Sequence, residues 1–84
     1  MAKILIYSKV PCAYCVRAKN FLNERNIPFD EIDLTNKEDE IIRLKNETGW
    51  RTIPIILING KIIGGYDDLK ALDDQGKLQS LLQD

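Results

Sequence analysis

Asn59-Gly60 sits between two short apolar stretches, Ile55 to Ile58 before it and Ile62-Ile63 after it. A two-residue loop of this kind favours a type I′ turn, whose twist matches that of the strands it joins. The second half of the chain is thereby committed to an antiparallel hairpin, which Gly64-Gly65 ends. The first half makes a different demand. Ile4 to Tyr7 reads as a strand buried on both faces. Cys15, Ala18 and Leu22 then recur on one face of a helix predicted from Ala13 to about Arg25, with Arg17, Lys19 and Glu24 toward water. Pro28 ends that segment, and Phe29 to Leu34 reads as a second strand with Ile32 and Leu34 on one face. Strand, helix, strand is long enough for a right-handed parallel crossover. A parallel pair and an antiparallel pair in so short a chain imply one mixed sheet.

Thr35-Asn36-Lys37-Glu38 matches a capping box, with Thr35 as N-cap. It predicts a helix carrying Ile41, Ile42 and Leu44 that stops near Gly49. Asp67 or Asp68 is predicted to cap a third helix carrying Leu69 and Leu72, with Gly76 past its end. Leu78, Leu81 and Leu82 predict a last helical turn or two. The order is β-α-β-α-β-β-α, an α/β domain with a four-stranded mixed sheet flanked by helices. The 84 residues suffice for a single domain over 1–84, and no repeat or linker interrupts them.

The net charge of −1 argues against a nucleic-acid or polyanion binder. No apolar run approaches the ~18 residues of a membrane span, and no signal-peptide pattern opens the chain. A cytoplasmic location is therefore expected, where a lasting structural disulfide is not. There is no histidine. Ser-His and Cys-His catalytic pairs and histidine metal sites are thus excluded.

Both cysteines of the chain, Cys12 and Cys15, lie in Lys9-Val10-Pro11-Cys12-Ala13-Tyr14-Cys15. Cys12 falls where the first strand gives way to the first helix. Unpaired amides and the positive end of the helix dipole point there, favouring a thiolate with a pKa below the ~8.5 of free cysteine. Lys9 and Arg17 add positive potential. Cys15 lies three residues on, on the buried face, placed to attack a mixed disulfide formed on Cys12. Other readings exist. A staple across so small a loop stabilises little. Tetrahedral zinc wants four ligands, which only a dimer would supply. Two incidental core cysteines are a third option. Spacing and placement favour a redox pair.

Two further stretches bear on the site. Thr52-Ile53-Pro54 opens the third strand. Proline there simply starts a strand, or forms a cis bond that leaves Ile53 backbone groups free for an extended peptide. Gly64-Gly65-Tyr66-Asp67-Asp68 reads as a strand-to-helix turn whose amides are able to hold a carboxylate. Lys9 and Arg51 are solvated surface charges by default, and anion-binding groups if the fold brings them to the thiol.

Taken together, the Cys-Ala-Tyr-Cys stretch, Thr48-Gly49-Trp50-Arg51-Thr52-Ile53-Pro54 and Gly64-Gly65-Tyr66-Asp67-Asp68-Leu69 resemble a glutaredoxin of the short bacterial dithiol type, over nearly the whole chain. The resemblance implies a thioredoxin-like fold and a glutathione-dependent thiol–disulfide oxidoreductase of the cytoplasm. Cys12 would be the attacking thiolate and Cys15 the resolving thiol. Glutathione would be held by Lys9, Tyr14, Arg51, Thr52, Ile53, Pro54, Gly65, Tyr66 and Asp67, with Pro54 cis. The partners implied are glutathione and glutathionylated or disulfide-bonded proteins, without nucleic acid or membrane. Ala13 departs from the proline usual between the cysteines, and relatives lacking it more often hold a [2Fe–2S] cluster between subunits. The resemblance therefore implies no resident metal and a monomer, or, as the alternative, a dimer with a cluster on Cys12 and glutathione. Tyr66 stands where many relatives carry a further cysteine.

Overall fold

In the computed structural model, which describes residues 3–82, four strands form one mixed sheet in the order β2-β1-β3-β4. β1 is Ile4–Ser8, β2 Asp30–Asp33, β3 Ile55–Ile58 and β4 Lys61–Gly64. β1 and β2 run parallel, joined by α1, Ala13–Glu24. β3 is antiparallel to both β1 and β4, and Asn59-Gly60 makes the hairpin turn with both residues at positive φ. The crossover and the hairpin thus share β1–β3 as their seam.

Register fixes the two faces. Ile4 opposes Ile58 and Ile6 opposes Ile56 across β1 and β3, and all four are buried. Ala18, Phe21 and Leu22 of α1 cover them, with Leu69 of α3 (Tyr66–Asp74) and Leu78 of α4 (Lys77–Leu82). Each fully buried Ile or Leu contributes about 1.5–3 kcal/mol relative to leaving it exposed. Leu5, Tyr7 and Leu57 alternate onto the other face and are half-buried. α2, Glu38–Thr48, buries Ile41 but leaves Ile42 57% exposed. The apolar spacing of that helix therefore overstated its buried face.

Three local expectations need correction. Thr35 is not the cap of α2. Asn36 turns into the left-handed region at φ 63°, and the helix starts after Lys37, whose side chain makes no cap bond. The Thr35 hydroxyl instead donates to Asp33 and accepts from the Val10 amide. Neither Asp67 nor Asp68 is the N-cap of α3. Gly65 holds that position, and Asp68 accepts from the Gly65 N–H at 3.0 Å. β2 is shorter than Phe29 to Leu34 and lies at the sheet edge, so Ile32 is 39% exposed while Leu34, past its end, is buried. The stop of α2 at Gly49, in the left-handed region at φ 73°, and the short final helix agree with expectation.

Candidate active site

Cys12 is the N-cap of α1, in extended backbone conformation, and its Sγ accepts from the Cys15 N–H at 3.0 Å. A sulfur thus occupies the place where serine or aspartate usually satisfies a helix's first amides. No acidic residue stands in the first turn of α1. Cys12 is joined to Cys15 as a disulfide, with Cα atoms 5.3 Å apart. Cys12 is partly exposed, whereas Cys15 is only 1% exposed. Sequence spacing anticipated both placements. Of the two sulfurs, Cys12 is thus the one open to solvent.

One flank of the pair opens on a groove of about 240 Å³ lined by Tyr14, Trp50, Thr52, Ile53, Pro54, Gly65, Tyr66, Asp67 and Asp68. Seven of the expected ligand-binding residues meet here. The Ile53–Pro54 bond is cis, and the Ile53 carbonyl oxygen lies 3.8 Å from Cys12 Sγ. Tyr66 closes one side, edge-on to Phe21 and tilted against Tyr14. Arg17 lies over the Tyr14 ring, 5.1 Å from its centre. Gly64 has φ 124°, and a Cβ there would meet Asp68 Oδ2 at 2.6 Å and the Trp50 ring at 2.9 Å. Only glycine fits that corner.

Lys9 and Arg51 do not line this groove. Lys9 borders a separate recess of about 430 Å³ on the other flank, with Cys12, Cys15, Lys19, Glu31 and Asp33. Arg51 borders a third with Ile42, Lys45, Asn46 and Gly49. Within the Lys9 recess, Glu31 accepts from the buried Ser8 hydroxyl and pairs with Lys19 at 2.9 Å. The Ser8 hydrogen bond, then Lys19, holds its carboxyl below the usual glutamate range. Asp33 is held low by its bonds from Thr35.

Sequence reasoning left Trp50 and Asp68 off the site. Trp50 walls the groove, and its buried Nε1 has no hydrogen-bond partner. Its place directly before Arg51-Thr52 was the available signal. Asp68 lies three residues after Gly65, the spacing of a capping box, but the missing cap side chain hid it. Among the described residues no group of three or more His, Cys, Asp or Glu side chains converges as a metal site. No helix among them is long and apolar enough to cross a membrane.

Comparison with known proteins agrees with this geometry. Residues 4–63 match the family model described as Glutaredoxin. The glutaredoxin of Pseudomonas aeruginosa is 39% identical over 82 residues, covering 98% of each chain. Glutaredoxin 3 of Escherichia coli K12 is 41% identical over 86 residues, covering 99% of this chain and all of that protein. Among solved structures, a buckwheat glutaredoxin–glutathione complex superposes with a TM-score of 0.87 at 31% identity, covering 95% of this chain and 76% of that one. Glutaredoxin from Brucella melitensis gives 0.84 at 40% identity, covering 98% and 89%. These neighbours share the thioredoxin-like fold. The chain belongs to the glutaredoxin family of thiol–disulfide oxidoreductases, with Cys12 and Cys15 as its redox pair.

Proposed function

We propose that the chain reduces glutathionylated proteins and disulfides at the expense of glutathione, with Cys12 as attacking thiolate and Cys15 as resolving thiol. The observation that carries this reading is the cap sulfur, 3.8 Å from the carbonyl of Ile53, beside a groove walled by Ile53 and Gly65. Reduced, Cys12 faces the first amides of α1 and is favoured as the thiolate. It attacks the glutathione sulfur of a mixed disulfide, and the protein thiolate leaves and takes a proton. A second glutathione thiolate then attacks that sulfur, releasing glutathione disulfide and restoring Cys12. On a protein disulfide, the Cys12 thiolate attacks one sulfur and frees the other as a thiolate that takes a proton; Cys15 then loses its proton and attacks the Cys12 sulfur of the mixed disulfide. That step releases the reduced protein and leaves the Cys12–Cys15 disulfide.

Within the groove, Ile53 offers backbone groups to the central cysteinyl unit, ordered by Thr52 and Pro54. Gly65, Tyr66 and Asp67 receive the γ-glutamyl end, where α3 amides meet its carboxylate and Asp67 its ammonium. Tyr14 flanks the sulfur. Lys9 and Arg51, outside the groove, act on glutathione's glycyl carboxylate or on the protein substrate through longer-range charge.

The test is turnover of a glutathionylated peptide with glutathione, against equal concentrations of a thiol lacking the γ-glutamyl end. Loss of rate with the simpler thiol supports the reading, and equal rates overturn it. Cys12→Ser should abolish turnover, whereas Cys15→Ser should keep deglutathionylation and lose protein disulfide reduction. The cluster alternative rests on Ala13. One chain offers a single partly exposed sulfur, so a four-thiolate cluster needs two copies and two glutathiones. A brown dimer after anaerobic purification with glutathione would favour it, and a colourless monomer with high turnover would not.

A further inference from the structure

The segment that delivers Cys12 to α1 is Lys9-Val10-Pro11, and apolar packing does not hold it. Val10 is 69% exposed, and Pro11 has no N–H to give. A contact from a distant part of the chain holds it instead. The Val10 N–H donates to Thr35 Oγ1 at 2.9 Å. Thr35 is itself fixed, because its N–H donates to Asp33 Oδ1 at 2.8 Å and its hydroxyl donates to the same oxygen. Asp33 is paired in register with Ser8, and the Leu34 N–H donates to the Ser8 carbonyl at 2.7 Å. The anchor therefore rests on the sheet. With its proton committed to Asp33, the hydroxyl meets Val10 as an acceptor, and its charged partner strengthens that role.

We propose that Thr35 is a positioning residue for Cys12, pinning Val10 so that the sulfur stays over the first amides of α1. Once the disulfide opens, the covalent link to Cys15 no longer restrains Cys12. The tether then keeps Sγ near the Cys15 N–H, where the thiolate is stabilised. Released from Thr35, the segment lets the sulfur drift from the amides, and the thiolate loses part of that stabilisation. The proposal rests on the reading of Cys12 as the attacking thiolate, and its test uses no glutathione.

The experiment titrates the reduced protein by thiolate ultraviolet absorbance in a Cys15→Ser background, so that one thiol reports. Thr35→Val keeps the side-chain shape and removes the hydroxyl, while Thr35→Ser keeps the hydroxyl. Thr35→Val should raise the Cys12 midpoint by about 0.3–1 unit, a roughly twofold to tenfold loss of thiolate below that midpoint. Thr35→Ser should titrate like the parent. A lower melting temperature with an unmoved midpoint in Thr35→Val would make Thr35 a fold contact only and overturn the proposal. Equal shifts in both variants would also overturn it. Amide hydrogen exchange at Val10 checks the tether independently of any role for Cys12. It should quicken about tenfold in Thr35→Val and stay unchanged in Thr35→Ser, and equal protection in all three proteins overturns the tether itself.

Discussion

Helices α1 and α3 open on the same groove, yet their first turns carry opposite chemistry. α3 begins with Gly65 at the cap and Asp67 and Asp68 in the first turn. α2, elsewhere, begins with Glu38, Asp39 and Glu40. In both, fixed carboxylates sit at the positive end of the helix. α1 has no acid in its first turn, and its cap is a sulfur. The difference shows what the fold reserves for chemistry. α2 and α3 begin on fixed carboxylates, whereas α1 leaves its positive end to a group whose charge comes and goes with redox state.

The largest expected change comes from breaking the α3 side. Gly64→Ala forces a Cβ into Asp68 Oδ2 and the Trp50 ring, at a positive φ that alanine resists. It should cost about 1–3 kcal/mol of stability, read by denaturant unfolding. Weaker glutathione binding should accompany it, because the Asp68 bond to the Gly65 amide is pushed aside. Next comes making α1 resemble its neighbours. Ala13→Glu places a carboxylate beside Cys12 and should raise the thiolate midpoint by about half a unit to one unit. The same substitution should leave stability unchanged or improve it by about 0.3–1 kcal/mol, since it complements the dipole. A fall in stability with an unmoved midpoint would remove the distinction drawn between the helices.

The smallest effect concerns a carboxylate that touches α1 away from its positive end. Glu31 meets Lys19, well along the helix, and also accepts from Ser8. Its depressed folded pKa contributes stability that is present above about pH 4.3, its ordinary value, and is lost as pH falls through the folded value. Glu31→Gln should therefore lower stability at neutral pH by no more than about 0.5 kcal/mol, because the pair is partly solvated. The gap between the two proteins should close in acid, and urea titrations at neutral and acid pH would show it. A constant gap would mean that the ionised form of Glu31 is not what stabilises.

Much of the site was legible from the residues because it depends on short-range rules. Asn59-Gly60 named its hairpin, and the spacing of Cys15, Ala18 and Leu22 placed one sulfur inside and the other at the helix start. Lys9 and Arg51 were less legible. The expected fold put both near the thiol; Lys9 shares a recess with Cys12 and Cys15, whereas Arg51 borders a different one. Trp50 showed no periodic signal, and its role follows from Gly64 and Gly65 packing against its ring.

What the sequence by itself determined was each local preference: where a strand turns, which helix face is apolar, and which residue a free amide would take as partner. Only the tertiary structure decided between partners when two segments competed for one group. Thr35 had the local chemistry of a helix cap, but Asp33 and Val10 took its hydroxyl, because β2 pairs with β1 and brings that end of the sheet against the cysteine loop. A side chain makes its hydrogen bonds with whatever the fold places nearest, and sequence distance does not measure that separation.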